Sequence, residues 1–110
     1  MATRRKSSKV EQSSGNVFAD LNLPDADERQ TKVQLAVAIN RELTTKGWSQ
    51  AAAAEVLGIN QPKVSALQKY RLEGFSVERL MTFITSLGND IDISIKPRRR
   101  GVGRISVQAA

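Results

Sequence analysis

Between residues 50 and 68 the chain reads QAAAAEVLGINQPKVSALQ. A run of strong helix formers is cut at Gly58-Ile59-Asn60, and a second helical segment restarts at once with a proline in its opening turn. A tight junction of this kind has definite steric needs. The first helix requires a small residue where the second crosses it, and Ala54 provides one. The turn requires a residue that tolerates positive φ, and Gly58 does so without a Cβ penalty. The second helix requires branched apolar residues facing inward, and Val64 and Leu67, at i and i+3, satisfy that. With those two directed at a core, Gln61, Pro62, Lys63, Ser65 and Ala66 are left on the outer side and at the N-terminal end.

The flanking sequence supplies the rest of a helical bundle. Pro24 suits a first helical turn, and Asp25, Asp27 and Glu28 bring negative charge to the positive end of the helix dipole. From there to Lys46 no Pro or Gly intervenes, and Leu35, Ala36, Ile39 and Leu43 fall on one face. Lys46-Gly47 forms a basic last turn with a C-terminal glycine. Ser49 caps the helix Gln50 to Leu57, with Trp48 expected to staple the junction, and Asn60 caps the helix Gln61 to about Lys69. Arg71 to Gly74 is a loop. Ser76 caps a fourth helix whose buried stripe is expected to be Val77, Leu80, Met81, Ile84 and Leu87, ending at Gly88. The segment DIDISIK then alternates strictly, Ile91, Ile93 and Ile95 against Asp92, Ser94 and Lys96, which predicts a half-buried strand stopped by Pro97. Arg104 to Val107 is a second candidate strand. A lone strand needs a partner, either its own copy across a two-fold axis, which is favoured, or residues 104–107.

Charge is distributed unevenly over these parts. The formal net charge is +6, yet the stretch from Glu11 to Ile95 holds eight Lys/Arg against eleven Asp/Glu. The excess sits in a Ser-rich arm over residues 1–15, read as disordered, and in a basic tail over residues 98–110. Such tails serve solubility or attract phosphate, so the basic balance alone does not prove nucleic-acid binding. Phe18, Leu21 and Leu23 follow the arm, to dock on the core or to meet a partner. The organisation predicted is an arm, one domain over residues 16–97 and a tail.

Several function classes are disfavoured by what is missing. There is no Cys and no His, which removes disulfides, thiolate and imidazole metal ligands, and the commonest general base. No paired carboxylates or glycine-rich phosphate loop stand in their place; Asp25/Asp27 and Asp90/Asp92 lie at element starts, where capping explains them. No catalytic residue, cofactor or metal is expected. No apolar run nears the ~18 residues a membrane span needs, so a soluble cytoplasmic protein is expected.

An exposed short helix fronted by amide, ammonium and hydroxyl groups fits the major groove of DNA, where Gln can pair with adenine through both its polar atoms. Gln50, at the start of the preceding helix, is placed for a backbone phosphate. QAAAAEVLGINQPKVSALQ followed by GFSVERLMTFITSLG resembles the Xre-type, lambda-repressor-like helix–turn–helix domain, and the front, SGNVFADLNLPDADE, resembles a subgroup that includes HigA-like antitoxins. The resemblance spans roughly residues 14–97. It implies a mostly α bundle of four to five helices, here with a C-terminal β-strand, acting as a homodimer on a palindromic operator of double-stranded DNA. It also implies a repressor of its own operon, and in many members neutralisation of a RelE-like toxin. Carried over by position, Gln61, Pro62 and Ala66 lie at base edges, with Gln50, Lys63 and Ser65 facing phosphate or bases. Pro62 has no side-chain hydrogen bond to offer, so any discrimination there is steric, for instance against a thymine methyl. Lys69 and Arg71, just past the helix, are phosphate contacts or simply solvated surface. The alternative function is a protein-interaction module that uses the helix–turn–helix as scaffold.

Overall fold

The computed structural model describes residues 25–109. The basic arm, the apolar trio Phe18, Leu21 and Leu23, and Pro24 lie outside the described residues. Four α-helices follow in order: α1 (Asp25–Lys46), α2 (Gln50–Leu57), α3 (Gln61–Gln68) and α4 (Val77–Ser86). The lengths and starts follow from local chemistry. Ser49, Asn60 and Ser76 each hold an extended backbone, and each side-chain oxygen accepts the backbone N–H three residues on, at 3.1, 2.9 and 3.0 Å. These three helices, α2, α3 and α4, thus each begin with one orphan donor satisfied. Left-handed glycines close α1 at Gly47 and α2 at Gly58 (φ 65° and 72°). On α1, Glu28–Lys32 and Glu42–Lys46 form ion pairs one turn apart, with the acid on the N-terminal side as the dipole favours.

The core is built around α1, which packs chiefly on α4 and also on α3, while α2 packs on α3. Leu35, Ala36, Ile39 and Leu43 are buried as their spacing predicts, and Thr31 extends the stripe one turn earlier. Its hydroxyl is buried at little cost because it donates to the Asp27 carbonyl at 3.0 Å. On α4 the buried stripe is Leu80, Phe83 and Ile84, continued by Leu87, whereas Val77 and Met81 are half-buried. Phe83 therefore occupies the central position that the sequence pattern assigned to its neighbours. The loop after α3 is not a surface loop throughout: Leu72 and Phe75 turn into the core, where Phe75 meets Phe83 edge to face at 5.9 Å and 79°. Trp48 is half-buried against the core beside the α1–α2 junction, with the Lys46 ammonium 5.3 Å from its ring centre.

The expected C-terminal strand is a correction. Among the described residues no strand forms, and residues 90–96 make no backbone–backbone hydrogen bond. Only Ile91 packs on the core, while Ile93 and Ile95 are 74% and 92% exposed. The physical reason is that a single extended segment cannot satisfy its own backbone, and the described residues offer it no adjacent edge. Residues 104–107 do not pair with it either. They return to α1 instead, where Val107 packs against the core and its N–H donates to Gln34 Oε1 at 3.2 Å. The basic tail from Arg98 is consequently not free along its whole length.

Candidate nucleic-acid interface

Everything about the candidate interface turns on how α3 is held. Val64 and Leu67 are both 0% exposed and form its inner face. Gly58, in the left-handed conformation, donates its N–H to the Ala54 carbonyl at 2.9 Å, and Ile59 donates to the same oxygen at 3.0 Å. The turn between α2 and α3 is thus fixed by two hydrogen bonds to one buried residue of α2. At the other end, Asn40 of α1 donates from Nδ2 to the Leu67 carbonyl at 3.1 Å. This bond ties the last turn of α3 to the longest helix. Asn40 Oδ1 is buried without a hydrogen-bond partner.

The C-terminus of α3 carries an unusual feature. Tyr70 is left-handed (φ 61°), and among the described residues it is the one non-glycine with positive φ. Its N–H donates to Leu67 and that of Arg71 to Ala66, at 3.1 and 2.9 Å, the paired reversed bonds of a helix end that normally takes glycine. This reversal sends the chain back so that Leu72 and Phe75 reach beneath α3.

Gln61, Pro62, Lys63 and Lys69 are exposed, Ser65 and Ala66 are half-buried, and Arg71 is exposed just beyond the helix. Gln61, Pro62, Ser65, Ala66 and Lys69 lie on the side of α3 away from Val64 and Leu67, as helical spacing requires. Gln61, Pro62 and Lys69 stand open to solvent there, while Ala66 also touches the core. The two remaining sequence-derived residues sit at the flanks. Gln50 donates from Nε2 to Gln68 Oε1 at 2.9 Å, so it stands beside the C-terminal end of α3. Lys63 leans away from the outer face, its ammonium 5.2 Å from the centre of the Phe75 ring. There it lines a shallow cleft with Gly74, Phe75, Ser76 and Arg79. Arg79 also sits 5.4 Å over the Phe83 ring, so two cations cap the aromatic pair.

Sequence spacing alone did not single out Gln68 or Arg79. Gln68 had a signal, since it lies seven residues from Gln61 and so projects on nearly the same side. Arg79 had none. Its place beside Lys63 depends on the loop that folds Phe75 inward.

A left-handed glycine turn between two eight-residue helices, clamped to a longer helix and presenting an uncovered polar face, defines a helix–turn–helix unit. Comparison with known proteins agrees. Residues 17–96 match a family model described as a helix-turn-helix domain. A solved structure provisionally assigned as an XRE family transcriptional regulator shares 62% identity and superposes with a TM-score of 0.73, over 79% of this chain and 100% of that one. No curated protein matches the chain. The chain belongs to the Xre family of helix–turn–helix regulators.

Proposed function

We propose that this protein is a sequence-specific DNA-binding transcriptional repressor, with α3 entering the major groove. The observation that carries the reading is the division of α3 into a fully buried face, Val64 and Leu67, and an outer face on which Gln61, Pro62 and Lys69 are exposed and Ser65 and Ala66 half-buried. An α-helix with its side chains is about 10–12 Å across, close to the ~12 Å width of the groove. Groups suited to phosphate stand at both ends of α3: Gln50, Gln68 and Lys69 at one, Lys63 and Arg79 at the other. In this reading those groups set position, and Gln61 carries base discrimination. The reading includes no catalytic step, which the lack of His and Cys disfavours. No described helix is long and apolar enough to cross a membrane.

The test is a selection of bound sequences from random DNA, followed by gel shifts with Gln61→Ala. The substitution is expected to lose about 1–3 kcal/mol of discrimination at one base pair. An unchanged preference removes Gln61 from the reading set, and the absence of any enriched sequence defeats the proposal.

Two finer readings attach to this one. The protein acts as a homodimer, with half-sites related by the dimer axis. It also serves as the antitoxin of a toxin–antitoxin pair, supported by the resemblance of SGNVFADLNLPDADE to HigA-like antitoxins. Co-expression with the product of the neighbouring gene tests the latter. Failure of the two proteins to co-purify, with the regulator still bound to its operator, leaves a regulator that is not an antitoxin.

A further inference from the structure

Residues 90–96 are an anomaly in a small helical domain. They carry a strict strand pattern, yet their backbone is unpaired among the described residues and two of three isoleucines face solvent. An exposed run of this kind invites pairing with another chain. Its own sequence indicates which one.

In an antiparallel pair, directly opposite residues share a face, so only registers centred on a residue bring the isoleucines of two copies together. Centring on Asp92 sets two Asp92 carboxylates against each other. Centring on Ser94 sets Ile91 against Pro97, which has no N–H to give. Centring on Ile93 opposes Ile91 to Ile95, Ile93 to Ile93 and Ile95 to Ile91, leaving none unmatched. On the opposite face the same register places Asp90 across from Lys96 at both ends, with Asp92 across from Ser94. Cross-strand pairs of opposite charge and of β-branched residues both stabilise a sheet.

We infer that residues 90–96 form an intermolecular antiparallel ribbon with a second copy of this chain, with the two-fold axis passing through Ile93. The inference rests on the homodimer proposed above and specifies its interface. Ile91, already packed on the core, backs the ribbon with the helical bundle, which an isolated two-stranded ribbon in water would lack. The strand pattern, unmatched among the described residues of one chain, is then satisfied in the dimer.

The absence of cysteine makes a thiol test clean. In the full-length protein, Ile93→Cys places one thiol opposite its copy and is expected to give a covalent dimer on mild oxidation. Ile91→Cys and Ile95→Cys, tested singly, are expected to stay uncrosslinked. Each lies four residues, about 13 Å, from its own counterpart along the ribbon, beyond the ~7 Å Cα separation a disulfide spans. Charge reversal tests the register independently. Asp90→Lys is expected to raise the dimer dissociation constant several-fold, and adding Lys96→Asp to restore it. Because Asp90, Ile93, Ile95 and Lys96 are exposed, changes at these four leave the bundle folded, and circular dichroism verifies the fold of every variant, Ile91→Cys included. A wild-type dimer by sedimentation, with no crosslink in the Ile93→Cys variant or no rescue by the double reversal, overturns this interface and leaves the dimer standing. A wild-type protein that stays monomeric at micromolar concentration overturns both.

Discussion

Tyr70 occupies a backbone conformation that costs an L-residue about 1–2 kcal/mol. Replacing it with Gly or Ala removes the same ring, so the effect of its missing side-chain contacts cancels when the two variants are compared. What remains is backbone. Glycine relieves the left-handed strain, while its greater freedom in the unfolded chain takes back about 0.4–1 kcal/mol. Tyr70→Gly is therefore expected to be at least as stable as Tyr70→Ala, and ahead by up to about 1.6 kcal/mol. At an ordinary helical or extended position the order reverses, with alanine ahead by roughly 0.5–1 kcal/mol. The sign decides the matter. Urea denaturation followed by circular dichroism reads it directly, and in a domain of this size 1 kcal/mol corresponds to about 4–8 °C in melting temperature. An alanine variant more stable than the glycine variant by roughly 0.5–1 kcal/mol would show that the turn after α3 is not left-handed, and that Leu72 and Phe75 reach the core by another route. The retention of Tyr where Gly would be easier also points to a use for the exposed ring. If the ring touches the DNA backbone, Tyr70→Gly weakens binding to all sequences alike.

Other perturbations isolate single features. Gly58→Ala is expected to cost about 1 kcal/mol from backbone strain alone, because a Cβ there meets no atom within 4 Å. Gly74→Ala, at a φ outside the left-handed region and with only Lys63 Nζ at 3.6 Å from the added Cβ, is expected to be neutral or slightly stabilising; equal destabilisation at both sites would contradict this. Asn40→Ala removes the hydrogen bond to Leu67, at a cost of about 1 kcal/mol. Asn40→Asp should be worse in the same urea assay, since it removes the donor and sets a carboxylate against a carbonyl. Deleting residues 1–10 is expected to weaken binding to every DNA sequence and to flatten the log–log salt dependence by about 0.9 for each phosphate no longer neutralised. An unaltered slope would show that the arm touches no phosphate.

The legible parts of the fold were those decided by local chemistry. Caps at Ser49, Asn60 and Ser76 need only a hydroxyl or amide and three residues of helix, so sequence placed them where the structure does. Val64 and Leu67 were readable because α3 is short and bounded on both sides, leaving one way to orient it. Phe83 was passed over because an aromatic at that position completes a stripe equally well from a neighbouring register. Leu72 and Phe75 were hidden for a different reason: their burial depends on the reversal at Tyr70, and nothing in the residue type of tyrosine announces positive φ. The strand failed because periodicity reports which face is apolar and says nothing of whether a partner exists in the same chain. At the candidate interface, the exposure of Gln61 and Pro62 was legible from spacing, but the inward lean of Lys63 toward Phe75 and its proximity to Arg79 are tertiary facts.

Charge bears on how such a protein would divide its labour on DNA. The stretch from Glu11 to Ile95 is acidic overall, yet of its eight basic residues Lys63, Lys69, Arg71 and Arg79 lie on α3, just past it, or beside Lys63 in the adjoining cleft. Glu55, Glu73 and Glu78 stand close in sequence or space and offset part of that charge. A domain balanced in this way gains little non-specific affinity from its body. In the proposed reading the long-range attraction then falls to the basic segments at the two ends of the chain, whose pull is screened by salt and independent of sequence. Discrimination is left to the outer face of α3, where hydrogen bonds and close packing respond to base identity and far less to ionic strength. Raising salt should therefore reduce affinity for operator and random DNA by similar factors until the basic segments no longer hold phosphate, and leave the ratio between them nearly constant. A ratio that collapses with salt would place discrimination among the charged groups, and would shift the reading role from Gln61 to Lys63, Lys69 and Arg71.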